Sequence, residues 1–141
     1  MARTISVEEE FQRPPEEVWS ALTDWNNAHR WMPGIEAMTA NGETATGTEL
    51  IFQARGARRT STIVSCDPGR SIVLRSIQGG VVADYRYEIQ ELGGGSSRVT
   101  LVADCRFSGL FWRLVSPLLR IAIRYSDGKQ LRLLKALVEP G

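Results

Sequence analysis

Residues 71–107 read SIVLRSIQGGVVADYRYEIQELGGGSSRVTLVADCRF. Three β-leaning runs, Ser71 to Ile77, Val81 to Leu92 and Arg98 to Phe107, are separated by Gly79-Gly80 and by Gly93-Gly94-Gly95. A turn centred on Gly79-Gly80 pairs Leu74 with Tyr85, Ile72 with Tyr87 and Arg75 with Asp84. A turn centred near Gly95 pairs Tyr85 with Cys105, Tyr87 with Ala103, Ile89 with Leu101 and Asp84 with Arg106. Opposed residues share a face, and so do residues two apart. One face then carries Ile72, Leu74, Tyr85, Tyr87, Ile89, Val99, Leu101, Ala103 and Cys105. The other carries Arg75, Asp84, Arg86, Glu88, Thr100, Asp104 and Arg106. The pairing does not impose this separation of apolar from charged residues, so the separation supports an antiparallel sheet with a buried and a solvated side.

Working outward, Asp67-Pro68-Gly69 is a turn, because proline presets φ and glycine takes a positive φ. It joins the run Arg58 to Cys66 to Ser71 and places Ser61, Ile63 and Ser65 inside. Earlier runs are Gly34 to Ala40 and Gly47 to Ala54, with Asn41-Gly42 between them. Leu50 and Phe52 are taken as inward, since the opposite register buries Glu49. At the N-terminal end, Thr4 to Phe11 puts Ile5, Val7 and Phe11 on one face, with Glu9 as the misfit. Pro14-Pro15 suits a first helical turn, and Glu16 and Glu17 suit the helix dipole. Val18, Trp19, Ala21 and Leu22 form that helix's apolar stripe. Asp24 is placed to cap a second short helix through Asn27 to Trp31, closed by Pro33-Gly34. Leu110 to Val138 reads as a long helix with two stripes, Leu114-Leu118-Ile121-Tyr125 and Leu131-Leu134-Val138. The stripes do not align, which implies a kink near Asp127-Gly128 or packing on different elements along its length.

Composition narrows the class. The chain has 141 residues, 43% hydrophobic and 23% charged. That fits one globular domain over residues 1–141, without repeats or a linker. Seventeen basic and sixteen acidic residues leave a net charge of +1, without the basic footprint of a nucleic-acid binder. Two cysteines, Cys66 and Cys105, and the single His29 make no zinc-ligand spacing, so no metal is implied. The opening residues do not read as a signal peptide, and no run of about 20 residues lacks charge. A cytoplasmic protein with reduced thiols is the expectation.

The segments Phe11-Gln-Arg-Pro-Pro-Glu-Glu-Val-Trp19, Leu22-Thr-Asp24 and Trp31-Met-Pro-Gly34 resemble the opening of the START-like (SRPBCC) superfamily. Gly47-Thr48, Asp67-Pro68, the paired strands and the closing leucine-rich helix extend the resemblance over nearly the whole chain. This superfamily contains polyketide cyclases and dehydrases, lipid-transfer domains, coenzyme Q-binding proteins and plant pollen-allergen-type carriers. The resemblance implies an α+β helix-grip fold. In it, a curved seven-stranded antiparallel sheet wraps a long C-terminal helix, and two short helices lie between strands 1 and 2. It also implies a cavity for a hydrophobic ligand between sheet and helix.

The inward face agrees with that, because it is apolar with a few hydroxyls, the composition of small-molecule sites. The candidate ligand-binding residues are Trp25, Trp31, Phe52, Ser61, Ile63, Leu74, Tyr85, Tyr87, Leu101, Cys105, Leu118, Ala122 and Tyr125. Tyr85, Tyr87 and Ser61 would orient a lipid, quinone, acyl or aromatic polyketide guest. The alternative is a polyketide cyclase or dehydrase. Cyclases of this superfamily tend to carry polar or charged groups in the cavity, whereas the face read here holds no assigned Arg, Asp or Glu. His29, Glu49 and Arg59 are the ionisable groups whose placement discriminates. Asp24, Trp25 and Trp31 are near enough in sequence to orient His29, but no nucleophile accompanies it, and a helix-surface position accounts for it. Catalytic residues are therefore not assigned. Gly93-Gly94-Gly95 lacks a following Gly-Lys-Ser/Thr and is a connection, not a phosphate loop; no cofactor is implied. Arg55, Arg58 and Arg59 read as a basic hairpin tip. A third reading is an interaction module, in which Leu110, Phe111, Trp112, Leu118 and Leu119 meet a membrane surface or a second copy. The chain would then be a monomer or a homodimer.

Overall fold

The glycine-punctuated runs do pair as consecutive antiparallel strands. The computed structural model describes residues 2–32, 34–54, 56–78, 81–107 and 130–139. The strands are β1 (Ala2–Phe11), β2 (Ile35–Ala40), β3 (Glu49–Ala54), β4 (Ala57–Asp67), β5 (Ser71–Gln78), β6 (Val81–Gly93) and β7 (Ser96–Phe107). They form one seven-stranded sheet in the order β1-β7-β6-β5-β4-β3-β2. Helix α1 (Pro15–Leu22) and a 3-10 helix (Trp25–Arg30) lie between β1 and β2, and residues 130–138 form helix α2. This is the helix-grip α+β fold: a curved antiparallel sheet gripping a C-terminal helix.

Proline at the start of α1 and Glu16 and Glu17 in its first turn match the local rules, and Val18 and Leu22 are its buried residues. Asp24 stands before the 3-10 helix but caps no backbone N–H. Its carboxylate instead accepts from Asn27 Nδ2 at 2.7 Å.

The β5–β6 register is the one read from the sequence: Leu74 opposes Tyr85, Ile72 opposes Tyr87 and Arg75 opposes Asp84. The β6–β7 register differs by two residues. Tyr85 opposes Ala103, Tyr87 opposes Leu101, Ile89 opposes Val99 and Asp84 opposes Asp104. One residue of that difference comes from the turn and one from a bulge between Glu91 and Gly93. Gly93 pairs with Ser96, leaving Gly94 and Gly95 as the connection, with φ of 62° and 79°. A two-residue hairpin turn with positive φ at both central positions matches strand twist best. A two-residue slip leaves every side chain on its own face, so the inward set survives. Arg106 still reaches Asp84, at 3.6 Å.

Two bulges do change faces. One falls between Ile63 and Ser65, after which Cys66 opposes Ile72. The extra residue inverts parity: Ser65, expected inside, is exposed, and Cys66 turns inward. The second bulge, between Ile35 and Ala37, lets Ile35 and Met38 both pack on the core while Glu36 stays outside.

The core lies between the inward sheet face and α2. Phe11, Trp31, Leu50, Ile63, Ile72, Tyr87, Leu101, Leu131 and Leu134 are essentially enclosed. Leu131, Leu134 and Val138 meet the core as the second stripe requires. Glu9, the misfit of β1, is explained by Lys135 of α2, 3.6 Å away. The first stripe, the kink near Asp127-Gly128 and the apolar segment from Leu110 to Leu119 lie outside the described residues, as do Pro33, Arg55, Gly79 and Gly80.

Candidate functional site

The inward face has two chemically distinct ends. At one end, Trp31 and Tyr87 meet edge to face, with ring centroids 6.0 Å apart and planes at 83°. The Tyr87 hydroxyl donates to Gln130 Oε1 at 2.7 Å, tying β6 to α2 by a buried bond. Gln130, Leu131 and Leu134 cover this end. Trp25 is also buried, and its indole N–H donates to Thr44 Oγ1 at 3.0 Å.

The other end lies toward the β3–β4 and β5–β6 hairpins. Leu50 opposes Ser61 and Phe52 opposes Arg59, so Arg59, Ser61 and Ile63 share the inward face. Ser61 Oγ and Ser76 Oγ are 2.6 Å apart. Ala83 and Cys105 form a small buried cluster, with Tyr85 and Val81 packed against it. Phe52, Arg59, Ser76 and Tyr85 are only partly buried. Here a guanidinium, two hydroxyls and a phenol border apolar side chains.

Arg59, one of the three discriminating groups but expected at a solvated hairpin tip, falls on the inward register and is partly buried. Its signal was present: the alternation that places Ser61 and Ile63 inside, carried two residues back, reaches Arg59. Composition hid it, because Arg58 and Arg59 follow Gly56 and read as a solvated tip. Arg58 is exposed and fits that expectation. Arg59 makes no ion pair among the described residues. The other two discriminating groups, His29 and Glu49, are exposed.

The remaining sequence candidates fall as follows. Ile63, Leu74, Leu101 and Cys105 are buried on the inward face, with Ser61. Trp25 and Trp31 are buried in the same core, and Phe52 and Tyr85 pack against it. Leu118, Ala122 and Tyr125 lie outside the described residues. Cys66 and Cys105 form no disulfide. Burial pushes the Cys66 thiol up and Asp67 adds to this, which opposes thiolate chemistry. Among the described residues no group of three or more His, Cys, Asp or Glu side chains is arranged to hold a metal ion.

The opposite sheet face carries an open groove of about 370 Å³, lined by Val73, Asp84, Arg86, Glu88, Val102 and Asp104. Its charges mostly answer one another. Arg75 grips Asp84 with two bonds, at 2.8 and 3.0 Å, and Arg86 is 3.6 Å from Glu88. The hydrogen bond from Arg75 holds the Asp84 carboxyl below its usual range, and the charges of Arg75, Arg106 and Arg86 add to this against the effect of burial. Asp104, which also lines the groove, has a buried carboxylate oxygen with no hydrogen-bond partner among the described residues.

The family model described as "Polyketide cyclase / dehydrase and lipid transport" matches residues 2–139. The chain belongs to this family. No curated protein gives a significant match. Among solved structures, the Zhui aromatase/cyclase from Streptomyces sp. R1128 superposes with a TM-score of 0.80 at 16% identity, covering 98% of this chain and 94% of that one. TTHA0849 from Thermus thermophilus gives 0.76 at 17% identity, over 96% and 97% of the two chains. Truncated norcoclaurine synthase from Thalictrum flavum gives 0.70 at 17% identity, over 100% and 96%. At such identities the likeness is one of fold, and a fold of this family carries more than one function. Among the described residues no helix of this family member is long and apolar enough to cross a membrane.

Proposed function

We propose that the chain is one START-like domain that binds a hydrophobic small molecule between the inward face of the sheet and the C-terminal helix. The carrying observation is the hairpin end of that face. There Arg59, Ser61, Ser76 and Tyr85 stand beside Phe52, Ala83 and Cys105, and several of them are only partly buried. A solid core would not favour an inward guanidinium that meets no carboxylate among the described residues. Apolar burial, at about 25 cal/mol per Å², would drive affinity, and the polar groups would orient the guest. Membership of a family described by cyclisation, dehydration and lipid transport supports the same reading. Trp25, Trp31, Ile63, Leu74, Tyr87 and Leu101 would form the apolar wall, and Leu118, Ala122 and Tyr125 the helix side.

Native mass spectrometry of gently purified protein and titration with 1-anilinonaphthalene-8-sulfonate test the proposal. One bound molecule per chain is the expected result, with loss of binding in Ala83→Phe, which adds bulk beside Tyr85. No bound probe in either form of the experiment overturns it.

A second reading, cyclase or dehydrase activity, is favoured by Arg59 alone. A guanidinium can stabilise an enolate oxygen but cannot take its proton. With His29 and Glu49 exposed, neither is placed on the inward face as the base. Conversion of a linear triketide thioester faster than in buffer, and slower in Arg59→Gln, would establish this reading. A rate equal to buffer removes it.

A further inference from the structure

We infer that the indole N–H of Trp31 is the donor that fixes an acceptor oxygen of the guest, which makes the ligand an otherwise apolar compound bearing a neutral carbonyl. This rests on the binding reading above and names the chemistry of its ligand. Trp31 is fully enclosed, at 0% exposure, and no acceptor among the described residues meets its Nε1. Other enclosed side-chain donors among those residues are matched. Ser97 Oγ donates to the Arg13 carbonyl at 2.7 Å, Tyr87 to Gln130 at 2.7 Å and Trp25 to Thr44 at 3.0 Å. Folded proteins pair nearly all such groups, so an orphan donor beside satisfied ones points to a function.

The chemistry of the orphan selects its partner. An indole N–H only donates, so the partner must present an acceptor. Trp31 shares its cluster with Phe11, Leu101, Leu131 and Leu134, so the rest of the partner must be apolar. A carboxylate would lose its hydration there, and the inward cation, Arg59, belongs to the hairpin end. A ketone, quinone or ester oxygen satisfies both demands. The edge-to-face contact with Tyr87 holds the indole plane, so the donor is pre-oriented.

Titration of 15N-labelled protein with 1-acetylnaphthalene and with 1-ethylnaphthalene tests this directly. The indole resonance lost in Trp31→Phe should move downfield with the ketone and not with the hydrocarbon. That of Trp25, already bonded to Thr44, should respond alike to both compounds and serves as an internal control. Trp31→Phe should weaken the ketone about fivefold and leave the hydrocarbon within about twofold. Equal movement of the Trp31 resonance with both compounds, or equal weakening of both, overturns the assignment. Failure of both compounds to bind overturns the binding reading and this assignment with it. If Trp31→Phe does not fold, the wild-type titration decides, with Trp31 assigned through its contacts to Tyr87.

Discussion

The two ends of the inward face use the same strands for different purposes. At the covered end, Trp31, Tyr87, Leu101, Leu131 and Leu134 are each 2% exposed or less, and Tyr87 is bolted to Gln130. At the hairpin end, Phe52, Arg59 and Tyr85 are partly buried, and a pair of serines bond to each other. The lesson is a contrast along β4 and β6: one end is closed over completely, and the other leaves parts of Phe52, Arg59 and Tyr85 uncovered.

Four substitutions break or sharpen that contrast. Leu101→Ala, at the covered end, should cost about 2–5 kcal/mol in urea denaturation, because it removes enclosed methyl groups and leaves a cavity. Phe52→Ala should cost about half as much, since its ring is already partly wet, yet weaken an apolar probe more than Leu101→Ala does. Equal stability losses would erase the contrast. Tyr87→Phe should cost about 1–2 kcal/mol by removing the buried bond to Gln130, with the fold retained in circular dichroism. The smallest effect belongs to the far face, where Asp84→Asn serves as the control. Asp84 is held below its ordinary value by Arg75, so its contribution is present above the unfolded carboxylate value, about 3.9. It fades as pH falls through the lower folded value. The gap between wild type and Asp84→Asn should therefore be steady from about pH 7 to 5 and close as acid takes the pH through the lowered folded value. A gap that persists in acid would show that shape, and not charge, sets it.

Strand alternation and glycine turns made most of the sheet legible in advance, including the β5–β6 register and the burial of Ile63, Leu74, Tyr87 and Leu101. Ser65 went the wrong way because a bulge is a single extra residue that leaves no mark on composition. Arg59 was kept as a discriminating group but read as a solvated tip for a different reason. Its neighbours Arg58 and Gly56 look like loop chemistry, and only the paired strand Glu49–Ala54 shows that the alternation runs through it.

Side-chain direction along one strand repeats every two residues, so the chain by itself determined which residues share a face, and with them the apolar and the charged sides of the sheet. Three things needed the folded molecule. They are the bulge that inverts β4, the Lys135 that answers Glu9 from the far end of the chain, and the enclosed indole of Trp31 that no acceptor among the described residues satisfies. Each depends on what approaches across space, and a hydrogen bond or an ion pair is decided by distances of a few ångströms between elements that local pattern cannot set.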